Sequence, residues 1–299
     1  MPESSNKGMT MRGKTAVAPA LIMTAGAVSC GLLLINLSAA PAVFNRSLLS
    51  FLFIILLIYT GFCTYLYLYQ RSLLYFGQPR RLENAPLMVL QRPDAKVMVT
   101  MLENDRPDAL IYFGGNAEDV SMNLPDFAER FPNHALYLMH YRGYGGSEGK
   151  PSEHAIMDDA FALYDEVAKR HGRIVVAGRS LGAGVAVHLA AKRPASRVLL
   201  ITPYDSIEYV AGRAFPYVPV RWLLKDKYES WRYAPEVSAP TLILMADHDE
   251  VIPAESTERL YALFPEGIAT LLVIPDSRHN SISASENYQR ALTAFVNAD

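Results

Sequence analysis

The chain has 299 residues, 51% of them hydrophobic, with a formal net charge of -2. That length accommodates one large α/β domain plus a membrane segment, and nothing about the near-neutral charge suggests nucleic acid. Cys30 and Cys63 are the only cysteines and both fall in apolar stretches, so the remainder of the chain can form no internal disulfide.

No charged residue occurs between Lys14 and Arg46, nor between Arg46 and Arg71. Residues 1–14 read as a basic tail and residues 15–70 as a membrane segment. Residues 17–37, which include Pro19 and many small side chains, are a candidate first helix, although Lys7, Arg12 and Lys14 ahead of them also fit the start of a signal peptide. Ala27-Val28-Ser29-Cys30 is a poor version of a lipoprotein signal. Residues 48–69 read as a transmembrane helix, because the uncharged run they occupy would extend about 36 Å as a helix against a hydrocarbon core of roughly 30 Å. Tyr65, Tyr67 and Tyr69 suit the headgroup level at its far end, and Arg71 follows. With two spans, the basic flanks formed by Lys7, Arg12 and Lys14 on one side and Arg71, Arg80 and Arg81 on the other place the domain in the cytoplasm. A single span would place it on the other side.

Beyond residue 70, short apolar runs alternate with helical patterns. Residues 87–90 and 97–102 are expected as an antiparallel pair, and 109–113, 135–139, 174–177, 198–202, 241–245 and 270–274 as parallel strands. Continuous apolar strands with helical connections of 10 to 20 residues imply a mostly parallel sheet covered on both faces.

Gly178-Arg179-Ser180-Leu181-Gly182 fits the G-x-S-x-G nucleophile elbow, a strained turn that lifts a serine oxygen above such a sheet. A chain of this length matches that pattern by chance about one time in ten at average Gly and Ser usage, so context decides. Gly145-Gly146-Ser147-Glu148-Gly149 matches too, but lies in a Gly-rich loop followed by Lys150-Pro151-Ser152, which cannot open a helix directly. Ser180 alone has an apolar strand before it and a small-residue helix after it.

Chemistry in a parallel sheet gathers at the carboxyl ends of the strands. His279 follows the last strand and is the expected general base, since a serine hydroxyl attacks near neutrality only when a base takes its proton. His134, His154, His171, His188 and His248 read as ordinary surface or core groups. Three acids, Asp205, Asp247 and Asp249, follow strands and compete for the orienting role. With Asp249 the chain order is Ser, Asp, His, that of the α/β-hydrolase fold. The oxyanion hole is expected from the backbone N–H groups of Leu181, after the nucleophile, and of Asn116, in the Gly114-Gly115-Asn116-Ala117 turn that ends a strand and is expected to start a helix.

Several runs, Tyr112-Phe113-Gly114-Gly115-Asn116, Tyr141-Arg142-Gly143-Tyr144-Gly145-Gly146-Ser147-Glu148-Gly149-Lys150-Pro151-Ser152-Glu153, the elbow, and Asp249 to Pro253 with His279-Asn280, resemble one known group. It is the membrane-anchored set of α/β-hydrolases labelled serine aminopeptidase-like, similar to the animal protein depalmitoylases. The resemblance covers about residues 70–299 and implies Ser180, Asp249 and His279 as a catalytic triad, with the Tyr141 run as a structural loop near the site. Gly114 stands where the group usually has His, which is expected to loosen the oxyanion loop, and Ala246 where it has Gly.

Residues 71–299 are thus expected to form an α/β-hydrolase catalytic domain with a small cap, because only about 38 residues separate the strands ending at Thr202 and beginning at Thr241. Residues 215–224 read as an apolar flap. An anchored, open site suits an ester or thioester of a long acyl chain, borne by a lipid or an acylated protein, at a bacterial inner membrane. No metal motif such as H-E-x-x-H occurs, and no cofactor is expected. An aminopeptidase-like amide hydrolase and a non-catalytic binding protein on the same fold are the alternatives.

Overall fold

The computed structural model describes residues 40–103 and 106–298, with side chains from residue 45 onward. The basic tail 1–14 and the candidate first helix 17–37, with Cys30, lie outside the described residues. Helix α1 runs over Ala40–Leu74, longer at both ends than the 48–69 expected. Its stretch Asn45–Leu74 is long and apolar enough to cross a membrane. Residues from Leu56 onward, including the last turns of α1, form one compact unit.

Among the described residues eight strands follow: β1 (Leu87–Arg92), β2 (Ala95–Leu102), β3 (Asp108–Phe113), β4 (His134–Met139), β5 (Arg173–Arg179), β6 (Arg197–Ile201), β7 (Thr241–Ala246) and β8 (Ala269–Ile274). They lie side by side in the order β1-β2-β4-β3-β5-β6-β7-β8. β2 runs antiparallel to both β1 and β4, and every other pairing is parallel. The helices are α2 (Leu124–Arg130), α3 (Glu153–Val167), α4 (Leu181–Lys192), α5 (Ile207–Ala214), α6 (Val220–Leu223), α7 (Ser230–Tyr233), α8 (Ala254–Tyr261) and α9 (Glu286–Val296).

Alternation along β3 shows why its sequence is apolar throughout. Ala109, Ile111 and Phe113 face one core with Ile156 of α3 and Val185 of α4, while Leu110 and Tyr112 face a second with Phe127 of α2 and Leu292 of α9. Each such fully buried aliphatic side chain contributes about 1.5–3 kcal/mol through removal from water. The cap between β6 and β7 consists of α5, α6, α7 and a 3-10 turn, Ala234–Glu236, as short as the chain length required.

One expected element is displaced. The turn after β3 does not start a helix at Asn116; a 3-10 helix begins at Val120 and α2 at Leu124. The Glu118 carboxylate accepts the Gly115 N–H at 2.7 Å and Asp119 accepts the Ser121 N–H at 3.1 Å, so local side chains hold the turn open before helix can begin.

Candidate active site

Parallel register brings the working ends of the strands together. Phe113 pairs with Gly178 and Arg179 with Ile201, so the turn after β3 and the turn after β5 sit side by side. Ser180 occupies the β5–α4 turn with φ 49° and ψ -116°, a conformation rare for a residue with a side chain. Such strain costs on the order of 1–3 kcal/mol and persists only where the surroundings impose it. The flanking glycines allow it: a Cβ at Gly178 would stand 2.2 Å from the Gly182 carbonyl oxygen, and one at Gly182 would stand 2.0 Å from that of Phe113. Both contacts are with backbone, which cannot step aside.

His279 Nε2 lies 3.0 Å from Ser180 Oγ, and its Nδ1 lies 2.8 and 3.0 Å from the two oxygens of Asp249. A carboxylate only accepts, so Nδ1 carries the proton and Nε2 presents its lone pair to the serine hydroxyl. Asp249 is fixed in turn by the N–H groups of Val251 and Ile252, which donate to Oδ1 at 2.9 and 2.7 Å. Both the imidazole and the carboxylate are nearly buried. This arrangement can remove a proton from Ser180 and stabilise the resulting imidazolium.

The competing acids have other partners. Asp247 accepts from the N–H groups of Asp276 and Ser277 at 2.8 and 2.9 Å and pairs with His248 at 2.8 Å. The His248 contact first, then those two N–H groups, hold its carboxyl down to about 2. Asp205 accepts from Ser256 Oγ at 2.8 Å and pairs with Arg259. Ser147 is also occupied elsewhere: it donates to the His140 carbonyl at 2.9 Å and accepts the Met98 N–H at 2.8 Å.

Asn116 lines a cleft of about 540 Å³ together with Ser180, His279, Glu118 and Arg179. Its carbonyl accepts the Phe76 N–H at 2.9 Å and the Tyr144 hydroxyl at 2.7 Å, while its side-chain amide donates to the Leu74 carbonyl at 3.1 Å. The Tyr141 hydroxyl donates to the Gly114 carbonyl at 2.7 Å. The Tyr-Arg-Gly-Tyr run therefore clamps the turn. At Gly114 a Cβ would meet Val120 Cγ1 at 2.4 Å, so Val120 fills the space a larger residue would need. Ala246 lies buried at the end of β7 with no polar role.

Sequence reasoning missed Glu118. Besides Gly115 N–H, it accepts the Tyr112 hydroxyl at 2.8 Å and the Asn123 amide at 2.6 Å, and it faces Arg179 at 3.8 Å. The available signal was a carboxylate three residues beyond the second glycine of a strand-end turn. Among the described residues, no cluster of His, Cys, Asp or Glu is arranged to hold a metal ion.

The strand order, the elbow and its neighbouring turn define an α/β-hydrolase, and the chain belongs to that superfamily. An uncharacterised protein of Mycobacterium tuberculosis is 32% identical over 245 residues, which cover 76% of this chain and 86% of the relative. The lysophosphatidylserine lipase ABHD12 of Danio rerio is 28% identical over 241 residues, covering 70% of this chain and 63% of the lipase. Among solved structures, a Pyrococcus furiosus esterase superposes with a TM-score of 0.60 over 74% of this chain and 98% of the esterase, at 17% identity, a likeness of fold. No protein-family model matches the chain.

Proposed function

We propose that this protein is a membrane-anchored serine hydrolase that cleaves carboxylic esters or thioesters by acyl transfer. The observation that carries the reading is His279, whose ring bridges Ser180 and Asp249 beside an open cleft. Ser180 Oγ attacks the acyl carbonyl as Nε2 takes its proton. Collapse of the tetrahedral intermediate breaks the bond to the alcohol or thiol, which leaves with that proton, and water repeats the sequence on the acyl-enzyme. Asp249 holds the imidazole tautomer throughout. The developing oxyanion is received by the N–H groups of Leu181 and Asn116. Leu181 opens α4 and so has no acceptor within the helix. In the neighbouring turn Gly115 N–H is engaged by Glu118, whereas Asn116 N–H has no acceptor among the described residues.

The catalytic domain comprises residues 71–299 and the anchor residues 15–70, with α1 crossing a bacterial inner membrane and the domain on the cytoplasmic side. The substrate is an acyl lipid or acylated protein. The lipase activity of the Danio rerio relative supports ester chemistry. A fluorophosphonate probe is expected to label the wild-type protein and Ser147→Ala but not Ser180→Ala; labelling that persists in Ser180→Ala overturns the assignment. A reporter fused after Asp299 is expected to be active as a cytoplasmic marker, and activity only as a periplasmic marker reverses the orientation.

A further inference from the structure

The cap carries a segment that this chemistry leaves unused. Residues 215–224, Phe-Pro-Tyr-Val-Pro-Val-Arg-Trp-Leu-Leu, turn large apolar side chains outward, with Tyr217 87% and Trp222 84% exposed. The segment lies along α1. At its far end the Tyr59 hydroxyl donates to the Tyr217 carbonyl at 2.8 Å. At its near end Gln70 donates to the Leu223 carbonyl at 3.1 Å and accepts the Lys225 N–H at 2.7 Å, while Arg71 pairs with Asp226 at 2.8 Å. Positions 59 and 70 are separated by about 16 Å of helical rise.

That separation fixes a depth. A span needs about 20 residues, and the uncharged run extends from 47 to 70. Its portion before Tyr59 is too short to cross alone, so a spanning α1 carries Tyr59 inside the hydrocarbon, and Tyr217 with it. We infer that residues 215–224 form a membrane-embedded wedge. Tyr217 stands at acyl-chain depth and Trp222 near the headgroups, so that the leaflet's own lipid covers this face. The inference rests on the anchoring reading of α1 and is independent of the chemistry at Ser180.

Irregular backbone survives at such depth only when its polar groups are satisfied. Pro216 and Pro219 have no N–H to satisfy. The N–H groups of Phe215, Val218 and Val220 donate within the segment and α5, to Ala211, Phe215 and Val218 at 2.8, 3.0 and 2.7 Å. The Tyr59 hydroxyl and the Tyr217 carbonyl satisfy each other, where either group alone in hydrocarbon would be costly. Charge gathers at the other end. Lys225 sits 4.0 Å from the centre of the Tyr67 ring, at the level of Gln70 and Arg71, and Arg221 adjoins Trp222. An aromatic and basic collar of this kind suits the membrane interface.

Trp222 and Trp231 are the only two tryptophans, which allows a depth measurement in the full-length protein. The protein is reconstituted in phosphatidylcholine vesicles whose acyl chains carry bromine at shallow or deep positions. Three single-tryptophan variants are compared, with thermal melting as a check on folding. Trp231→Phe leaves Trp222 as the probe. Tyr217→Trp and Phe53→Trp, each combined with Trp222→Phe and Trp231→Phe, place probes at the wedge tip and within α1. The probe at 217 is expected to lose most of its emission to deep bromines, and Trp222 to lose more to shallow ones; aqueous acrylamide should quench both weakly. Strong bromine quenching at 53, with 217 and 222 quenched only by acrylamide, overturns the wedge while leaving the anchor intact. Absence of quenching at 53 removes the anchor and the wedge together. Should the variant at 217 fail to fold, Trp222 in the mild Trp231→Phe background decides alone. Fluorophosphonate labelling of Ser180 is unaffected by any of these results, so the wedge and the hydrolase reading fail separately.

Discussion

Three carboxylates at strand ends differ in what they hold, and the difference predicts three phenotypes. Asp249 touches the imidazole and two backbone N–H groups. Asp249→Asn preserves shape but favours the wrong imidazole tautomer, and turnover of an ester substrate is expected to fall by a factor on the order of 10⁴ with melting little changed. Asp247 holds the backbone at Asp276 and Ser277, two residues ahead of His279, so Asp247→Asn should lower melting and cost far less turnover. Asp205→Asn weakens the ion pair with Arg259 and should act through stability, by on the order of 1–3 kcal/mol, with kcat largely retained. Ester hydrolysis and thermal melting of the three variants decide between them. A folded Asp249→Asn enzyme with near wild-type turnover rules out its assigned role and promotes whichever neighbour lost activity.

At the scale of elements, the turn after β3 works because another loop grips it. The Tyr144 hydroxyl bonds the Asn116 carbonyl and so fixes the peptide that immediately follows the proposed oxyanion donor. Removing that hydroxyl in Tyr144→Phe should cost about 1 kcal/mol of stability, and should lower kcat with KM nearly unchanged, since the donor acts on the transition state rather than on bound substrate. An equal fall in kcat/KM through KM alone would contradict the positioning role. This same turn marks the limit of what the sequence discloses. Strands β3 to β7 were legible as continuous apolar runs, because a parallel sheet covered on both faces buries every side chain and leaves little ambiguity of period. The elbow was legible because glycine is demanded by backbone contacts two residues either side of Ser180. Glu118 was not, since its three anchoring contacts are made by one side chain reaching across a turn, and no periodicity records that. The four-residue helices α6 and α7 are too short to carry a pattern at all. The depth of residues 215–224 along α1 depends on a contact between positions 158 residues apart, beyond any local reading.

For the molecule as a whole, two histidines outside the proposed triad tie peripheral elements to the core and are expected to make the fold acid-sensitive. His140 is buried between β2 and the Tyr141 loop, with Nε2 2.8 Å from Thr100 Oγ1. Burial pushes its pKa down to about 4, with Asp119 and Arg80 exerting smaller, opposing influences. His188 of α4 stacks on Tyr233 of α7 with ring centroids 3.6 Å apart, and burial lowers it to about 4 as well. Both rings are therefore held neutral in the folded state, whereas an unfolded chain protonates them near 6.5. Between those two values the unfolded state binds more protons, so stability rises with pH across the window: it is complete above about pH 6.5 and falls progressively toward pH 4. For His140 the full loss is on the order of 3 kcal/mol; the more accessible His188 contributes less because solvent screens it. Lowering the pH from about 7.5 to about 5 should forfeit much of this and depress the melting temperature by roughly 4–8 °C for a chain of this size. His140→Asn cannot take up the proton, so it should melt lower than wild type at neutral pH yet lose less on acidification. Parallel melting curves for the two proteins at both pH values would show that the acid sensitivity arises elsewhere. A narrowed gap at low pH would locate it in the joint between β2 and the loop that grips the proposed oxyanion turn, and would imply that acid disables the site before the sheet gives way.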